Sequence, residues 1–169
     1  GIQFVMAMGV AFFCPYQGVI SDDATLNVVN KLYEKGIRRL YLAASTGMEN
    51  PLHINRVFTR VLDQWPDIEL GFHMHERTGM AAANMFAALN AGATSVEGSI
   101  CGIGGGIVMP GGMGDIGNIP TEDIVNMLNR SGLDTGLDTK LMALTAKKIE
   151  EILGIPSRSF VARNDDIGV

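Results

Sequence analysis

The sequence has few cysteines, little positive charge and no long apolar run, and each shortage excludes a class of protein. Two cysteines in 169 residues cannot build a disulfide framework, which favours a reducing compartment, the cytoplasm or an organelle matrix. The net charge of −5, without a lysine or arginine cluster, argues against nucleic acid as a partner. No apolar run reaches the ~20 residues of a membrane span, so we expect no membrane partner either.

What remains is typical of one globular domain. Hydrophobic residues make up 47% of the chain, which can therefore bury a sizeable core. The chain opens on Gly1 directly in strand-like sequence, without a cap or turn. We therefore expect residues 1–169 to form a single partial domain whose N-terminus is a cut edge.

Strand-like runs alternate with amphipathic helical runs along the whole chain. The predicted strands are residues 3–11, 38–44, 68–75 and 94–100, and the predicted helices are residues 21–35, 51–65, 79–91, 121–129 and 139–153. This alternation indicates right-handed βαβ units on a parallel sheet. A closed (β/α)₈ barrel needs eight units and about 250 residues, so the pattern predicts about half of one. The alternative, a doubly wound open sheet, would place phosphate-binding glycines after the first strand, where this chain has Cys14–Gly18.

Two histidines close the third predicted strand. His73 and His75 are two residues apart, and alternate residues of a strand point to the same face. Imidazole nitrogens bind divalent cations, and the C-terminal edge of the strands is the catalytic edge of such folds. The pair therefore predicts part of a metal site, and the alternative is two histidines making ordinary hydrogen bonds.

A glycine-rich loop, residues 102–117, follows the fourth predicted strand. Its glycines, among them Gly104, Gly105 and Gly106, carry an entropic cost that is typical of a lid or of backbone that approaches a ligand. The alternative is a disordered connector. At the close of the loop, Asn118 is a candidate oxygen ligand or a turn residue, and Asp115 is the nearby alternative ligand.

The remaining candidates are acidic residues, cysteines and one further histidine. Glu97 and Glu76 are each candidates to orient an imidazole, and a solvated acid is an equal alternative for Glu76. Cys14 and Cys101 are predicted to be small buried hydrophobes. The third histidine, at position 53, is predicted to lie on a helix surface.

Four segments together resemble hydroxymethylglutaryl-CoA lyase, a member of the metal-dependent lyase and Claisen-synthase group of TIM barrels. They are Cys14-Pro15-Tyr16-Gln17-Gly18, His73-Met74-His75, Gly102-Ile103-Gly104-Gly105 and Gly117-Asn118-Ile119-Pro120-Thr121-Glu122-Asp123. The resemblance runs from Cys14 to the terminal helix and implies the C-terminal half of the family barrel. It also implies a small-molecule substrate, an acyl-CoA, cleaved by retro-aldol or retro-Claisen chemistry.

The resemblance implies a Mg²⁺ or Mn²⁺ site on His73, His75 and Asn118, with His73 also the catalytic candidate. The Asp, Arg and Glu that complete the family site belong to the N-terminal half of the barrel, which is absent here. This chain alone is therefore expected to bind the metal weakly. A half-barrel also exposes strand edges, which predicts homo-oligomers or association through those edges.

The chain departs from the family pattern at two places. Gly106 stands where the lyase carries a catalytic Cys, and Ala44-Ser45 stands where it carries Asp-Thr. Loss of a proton-moving thiol typically costs about 10²–10⁴ in rate, which weakens the expectation of hydroxymethylglutaryl-CoA itself as substrate. The alternatives are a Claisen synthase or aldolase that acts on 2-oxo acids, and a non-catalytic half-barrel.

Overall fold

A computed structural model describes residues 2–104 and 117–164, which divide into two compact units. The first unit ends at Glu97, and the second comprises residues 98–104 and 117–164 among those described. We describe each unit by itself. The expectation of a single domain over residues 1–169 stays a prediction.

The first unit is a parallel sheet with helices between its strands. Its elements are β1 (Met6–Met8), β2 (Phe13–Cys14), β3 (Gly18–Val19), α1 (Asp22–Glu34), β4 (Arg39–Ala44), α2 (Pro51–Gln64), β5 (Glu69–Glu76), α3 (Ala81–Asn90) and β6 (Ser95–Glu97). The strands β1, β4, β5 and β6 lie side by side in that order, and each neighbouring pair is parallel. The predicted parallel α/β arrangement is confirmed.

The two faces of this sheet differ in burial because successive side chains of a strand alternate. Leu42 and Phe72 are fully buried, and the apolar stripe of α2 is buried as well, at Ile54, Val57, Phe58 and Val61. The i, i+3, i+4, i+7 spacing of that stripe is typical of a helix with one apolar face. The alternate residues of the sheet, Tyr41, His73 and Glu97, are half-buried or exposed, so the polar candidates lie on the sheet face opposite Leu42 and Phe72.

Local signals define the helix starts. Ser21 accepts a hydrogen bond from the Ala24 amide at 3.3 Å and caps α1, with two aspartates in the first turn. Asn50 caps α2 through the His53 amide at 3.0 Å, and Pro51 occupies the first turn of that helix. The helices predicted from the sequence therefore begin and end within two residues of the observed bounds.

The second unit contains a short 3₁₀ helix (Ile100–Gly102), β7 (Gly117–Asn118), α4 (Thr121–Arg130), α5 (Thr139–Leu153) and α6 (Phe160–Arg163). A small core forms where Cys101, Ala146 and Ala162 pack together, with Ile100, Ile103 and Ile149 around them. The Asp123 carboxylate accepts hydrogen bonds from Ser159 Oγ at 2.6 Å and from the Val161 amide at 2.9 Å. These bonds attach α6, which the sequence did not predict, to α4.

Two strand predictions need correction. The first strand, predicted over residues 3–11, spans only Met6–Met8, because Ile2 and Phe4 are exposed and Val10 takes a positive φ of 47°. The segment after it, Cys14–Gly18, belongs to the antiparallel hairpin β2–β3. The fourth strand, predicted over residues 94–100, ends at Glu97, and a 3₁₀ helix with Cys101 at φ 58° follows.

No helix within residues 2–104 and 117–164 combines the length and the hydropathy that a bilayer crossing requires.

Candidate metal site

His73 and His75 lie on β5, on the sheet face opposite the buried residues Leu42 and Phe72. Their Nε2 atoms are 3.2 Å apart, and the two rings meet edge to face with centroids 5.1 Å apart. The His75 side chain is buried, whereas 22% of the His73 side chain is exposed. A proton on one Nε2 satisfies both atoms at this distance, and a divalent cation can take the place of that proton.

The outer nitrogens of both rings face oxygen atoms. His75 Nδ1 lies 2.8 Å from the Ser45 carbonyl oxygen, and because a carbonyl only accepts, Nδ1 carries the hydrogen and Nε2 the lone pair. His73 Nδ1 lies 3.3 Å from Glu97 Oε2, an electrostatic contact without hydrogen-bond geometry. Carbonyl or carboxylate support of the outer nitrogen is how metal-binding histidines are oriented, so the pair fits a cation.

Asn118, the candidate amide ligand, belongs to the second unit. Its Nδ2 donates to the Ile103 carbonyl at 2.9 Å, whereas its Oδ1 is buried and accepts no hydrogen bond from the described residues. A buried oxygen without a partner is costly, and an amide oxygen is a ligand that Mg²⁺ and Mn²⁺ accept. Because the imidazoles lie in the other unit, the convergence of His73, His75 and Asn118 stays a prediction.

Two glycines near Asn118 leave little room for a side chain. Gly104 has a φ of 79°, which favours glycine, and a Cβ there would lie 3.3 Å from Asn118 Nδ2. A Cβ at Gly117 would displace the guanidinium of Arg158. Gly104 is the one proposed lid glycine that the structure describes. Gly105, Gly106 and the alternative ligand Asp115 lie outside the described residues.

Glu76 has a different role from either of its predicted alternatives. Its Oε1 accepts a hydrogen bond from the Gly79 amide at 2.6 Å, and its Oε2 accepts one from the Ala81 amide at 3.2 Å. The carboxylate therefore satisfies amides at the start of α3, where Met80 provides no side-chain cap.

The turn after β4 contains residues that the sequence did not single out. Glu49 is only 2% exposed, and its Oε1 accepts hydrogen bonds from the Thr46 amide at 3.2 Å and from Thr46 Oγ1 at 2.9 Å. Burial raises the pKa of the Glu49 carboxyl. In the sequence, Glu49-Asn50-Pro51 is indistinguishable from an ordinary acidic helix start, so no local signal indicated its burial.

His53 was predicted to lie on a helix surface, and this prediction is wrong. Its ring is buried, 3.2 Å from Asp22 Oδ1 and edge-on to Phe12 with centroids 5.7 Å apart. It lies beside Ile54 on the buried stripe of α2, and burial lowers the pKa of its imidazole. Cys101 is a buried small hydrophobe, as predicted, while Cys14 is half-buried.

Within residues 2–104 and 117–164, no three histidine, cysteine, aspartate or glutamate side chains form a group that could hold a metal ion. Among the described residues, the His73–His75 pair is therefore not completed to a metal site by a third acidic, thiol or imidazole side chain. A site built from the described residues needs a donor of another kind beside this pair, such as the Asn118 amide.

Comparison with known proteins gives a consistent result. A family model described as HMGL-like matches residues 3–149. The (R)-citramalyl-CoA lyase of Chloroflexus aurantiacus is 31% identical over 163 residues, which cover 96% of this chain and 50% of that enzyme. A hydroxymethylglutaryl-CoA lyase of Bacillus subtilis is 34% identical over 154 residues, 90% of this chain and 50% of the relative.

A solved structure agrees with these sequence matches. The HMG-CoA lyase from Acinetobacter baumannii, in complex with coenzyme A and 3-methylmalate, superposes with a TM-score of 0.89 at 31% identity. The match covers 99% of this chain and 54% of that chain. The chain thus spans about half the length of the relatives it matches. The predicted resemblance, and a fold corresponding to about half of a TIM-barrel lyase, are confirmed.

Proposed function

Because the chain belongs to the HMGL-like family, we propose that it supplies the metal-binding half of a divalent-metal-dependent carbon–carbon lyase. One observation carries the proposal: two Nε2 atoms lie 3.2 Å apart, and an oxygen atom faces the outer nitrogen of each ring. A histidine pair with only a structural role binds no cation, so nothing would then require both rings to be held in this orientation.

We propose His73, His75 and Asn118 as ligands of Mg²⁺ or Mn²⁺, with His73 also as the catalytic residue. A bound divalent cation supplies Lewis acidity at a substrate carbonyl oxygen. The Ser45 carbonyl keeps the His75 lone pair on Nε2, and the Glu97 carboxylate faces His73 Nδ1 and orients that ring. The loop that carries Gly104, Gly105 and Gly106 closes over the substrate and excludes water.

The proposed substrate is a 3-hydroxyacyl-CoA. The support comes from two relatives: one is named for citramalyl-CoA, and the other is a solved structure that holds coenzyme A with 3-methylmalate. In the reaction the C3 hydroxyl loses its proton, the C2–C3 bond breaks, and its electron pair stays on C2, which then takes up a proton. The products are a carbonyl compound and a shorter acyl-CoA. We place the reaction in the cytoplasm or an organelle matrix.

A second candidate function follows from Gly106. The lyases that this sequence resembles carry a catalytic Cys there, and a Claisen synthase or aldolase acting on 2-oxo acids works without it. Incubation with an acyl-CoA and a 2-oxo acid, followed by mass detection of a condensed product, distinguishes this function from cleavage.

We also propose that the chain associates, as a homo-oligomer or through the edge of β1. The residues beside this strand are apolar and exposed, with Ile2 at 99%, Phe4 at 59% and Val5 at 52%. An uncovered strand edge with apolar neighbours favours pairing with another chain. A non-catalytic half-barrel that serves only such an association is the remaining alternative.

The test of the lyase function is cleavage of citramalyl-CoA and hydroxymethylglutaryl-CoA by the full-length protein with Mn²⁺, followed by chromatography of the acyl-CoA products. We expect His73→Ala and His75→Ala each to reduce turnover by at least about 10²-fold, since even supporting residues of metal ligands are worth 10–100-fold. His53→Gln, a change in the third histidine of the chain, is the matched control and should retain activity. Equal turnover in all of these proteins would contradict the proposal.

A further inference from the structure

The turn between β4 and α2, residues 45–50, carries the carbonyl that orients His75. The Ser45 carbonyl oxygen lies 2.8 Å from His75 Nδ1, so the position of the turn determines the position of the ring. The Ser45 side chain is held as well, because its Oγ accepts a hydrogen bond from the Val10 amide at 2.9 Å. Ser45 is therefore fixed on one side, and Thr46 follows it directly in the chain.

Glu49 closes this turn from within. Its Oε1 accepts hydrogen bonds from the Thr46 amide at 3.2 Å and from Thr46 Oγ1 at 2.9 Å. Thr46 Oγ1 in turn accepts one from the Met48 amide at 3.3 Å. Glu49 provides the one carboxyl group among residues 45–50, and it binds the residue next to Ser45 through two separate donors.

Two further bonds attach the turn to its surroundings. Thr78 Oγ1 donates to the Gly47 carbonyl at 2.7 Å, and Asn84 Nδ2 donates to the Glu49 carbonyl at 3.0 Å. These bonds hold the middle and the end of the turn. Its beginning, where Ser45 meets His75, is held by the Val10 amide and, through Thr46, by the Glu49 side chain.

Burial of the Glu49 carboxyl group is energetically unfavourable. The residue is 2% exposed, and its Oε2 is buried without a hydrogen-bond partner among the described residues. A buried polar atom without a hydrogen-bond partner destabilises the folded state, so burial alone gives no reason for a glutamate here. A functional reason for the carboxyl group is that it holds Thr46, and with it the adjoining Ser45 carbonyl, in place.

We propose that Glu49 is a positioning residue for His75. Its carboxyl group, through Thr46, fixes the Ser45 carbonyl, which holds the hydrogen on His75 Nδ1 and directs Nε2 toward His73. The importance of this orientation rests on the proposed function, in which His75 Nε2 binds the cation.

The test measures the His75 ring directly, in the 169-residue chain without metal. Long-range ¹H–¹⁵N correlation spectra report which ring nitrogen carries the hydrogen. We expect the Nδ1–H form in the wild type and in Glu49→Gln, because a glutamine oxygen can accept both Thr46 hydrogen bonds. We expect Glu49→Ala and Thr46→Val to lose that single form and to show a mixture of tautomers.

The matched control is Glu122→Gln. Glu122 is a fully buried glutamate of the second unit whose carboxyl accepts a hydrogen bond from the Cys101 amide at 3.0 Å, and its replacement should leave the His75 signals unchanged. In the full-length protein, Glu49→Ala should weaken Mn²⁺ binding about 10–100-fold, as expected when support of a metal-binding histidine is lost. Glu49→Gln should restore it.

Unchanged His75 signals in folded Glu49→Ala or Thr46→Val would overturn the inference, as would failure of Glu49→Gln to restore them. Where Glu49→Ala does not fold, Thr46→Val decides, since it removes the two hydrogen bonds of Thr46 Oγ1, to Glu49 and from the Met48 amide, and keeps the side-chain volume. The two proposals can fail separately. If the His75 tautomer depends on Glu49 but His75→Ala leaves the Mn²⁺ affinity of the full-length protein unchanged, the positioning role is retained and the proposed function is rejected.

Discussion

At the scale of single residues, the pKa values of two carboxyl groups of the first unit are shifted in opposite directions by different causes. The Glu49 carboxyl has a raised pKa because burial disfavours its charged form. The Asp22 carboxyl has a pKa lowered to about 2, chiefly because Arg56 donates hydrogen bonds to it at 2.6 Å and 2.9 Å. The two groups therefore give opposite dependences of stability on pH.

Glu49→Gln tests the raised pKa. The folded state retains the Glu49 proton above the ordinary value of 4.5, so the stability that this group contributes is present below that pH and is lost as pH rises through the folded pKa. Glutamine cannot ionise. Relative to the wild type, the free energy of unfolding of Glu49→Gln should therefore increase between pH 4 and pH 7, measured by urea unfolding. An equal difference at both pH values would contradict this.

Asp22→Asn tests the lowered pKa. The folded pKa of about 2 lies below the ordinary value of 3.8, so this stabilisation is present above that value and is lost as pH falls through the folded pKa. We expect a loss of about 1–2 kcal/mol at pH 7 that disappears toward pH 2, measured by denaturant unfolding. Asp63→Asn, at an exposed residue of α2, is the control for the loss of one negative charge.

Single residues also show what the sequence could predict about the site. His73 and His75 were identified because their spacing on a strand is a local property. Ser45 and Glu49 were not, because their roles arise from a turn that brings a carbonyl to a histidine on the next strand. His53 was misplaced because the buried face of α2 extends one residue further toward its start than the apolar pattern indicates.

At the scale of elements, periodicity predicted the helices and the parallel strands β4 and β5 well. It failed where backbone conformation depends on distant partners. The strand predicted over residues 94–100 ends early because the Cys101 amide is bound by the Glu122 carboxylate, 21 residues further on, in a backbone conformation with positive φ. No local pattern contains that contact.

Gly47→Ala tests the conformation of the turn after β4. Gly47 has a φ of 65°, and a Cβ would lie 2.7 Å from Arg77 Cβ and 2.9 Å from the Arg77 amide nitrogen. Gly79 is the matched control, since its φ is 78° and a Cβ there meets nothing within 4 Å. By thermal or urea unfolding, Gly79→Ala should cost about 1 kcal/mol and Gly47→Ala about 1–3 kcal/mol more. Equal losses would contradict the steric argument.

At the scale of the whole molecule, the chain covers 50% of one close relative and 54% of a solved one, so its activity is proposed as part of a larger barrel. The chain places the histidine pair by itself, because the pair lies on one strand and its supports on neighbouring segments. Under the proposed function, metal affinity and turnover depend in addition on residues that the resemblance assigns to the other half of the barrel.

Association is the prediction at this scale. Sedimentation velocity of the 169-residue chain should show a sedimentation coefficient that rises with concentration, because apolar side chains beside β1 are exposed. The double variant Phe4→Lys, Val5→Lys should reduce this rise. Leu52→Lys, at a residue of α2 that is 79% exposed, should leave it unchanged. A monomer at every concentration, in all three proteins, would contradict the proposed association.

The most direct measurement of the central claim is electron spin echo modulation from Mn²⁺ bound to the full-length protein. The account predicts coupling to the Nε2 nitrogens of both His73 and His75, with one coupling lost in each single alanine variant. Asn118→Ala should lower the affinity and leave both couplings in place. Nitrogen couplings that persist in the His73→Ala, His75→Ala double variant, or a saturated wild type without them, would contradict it.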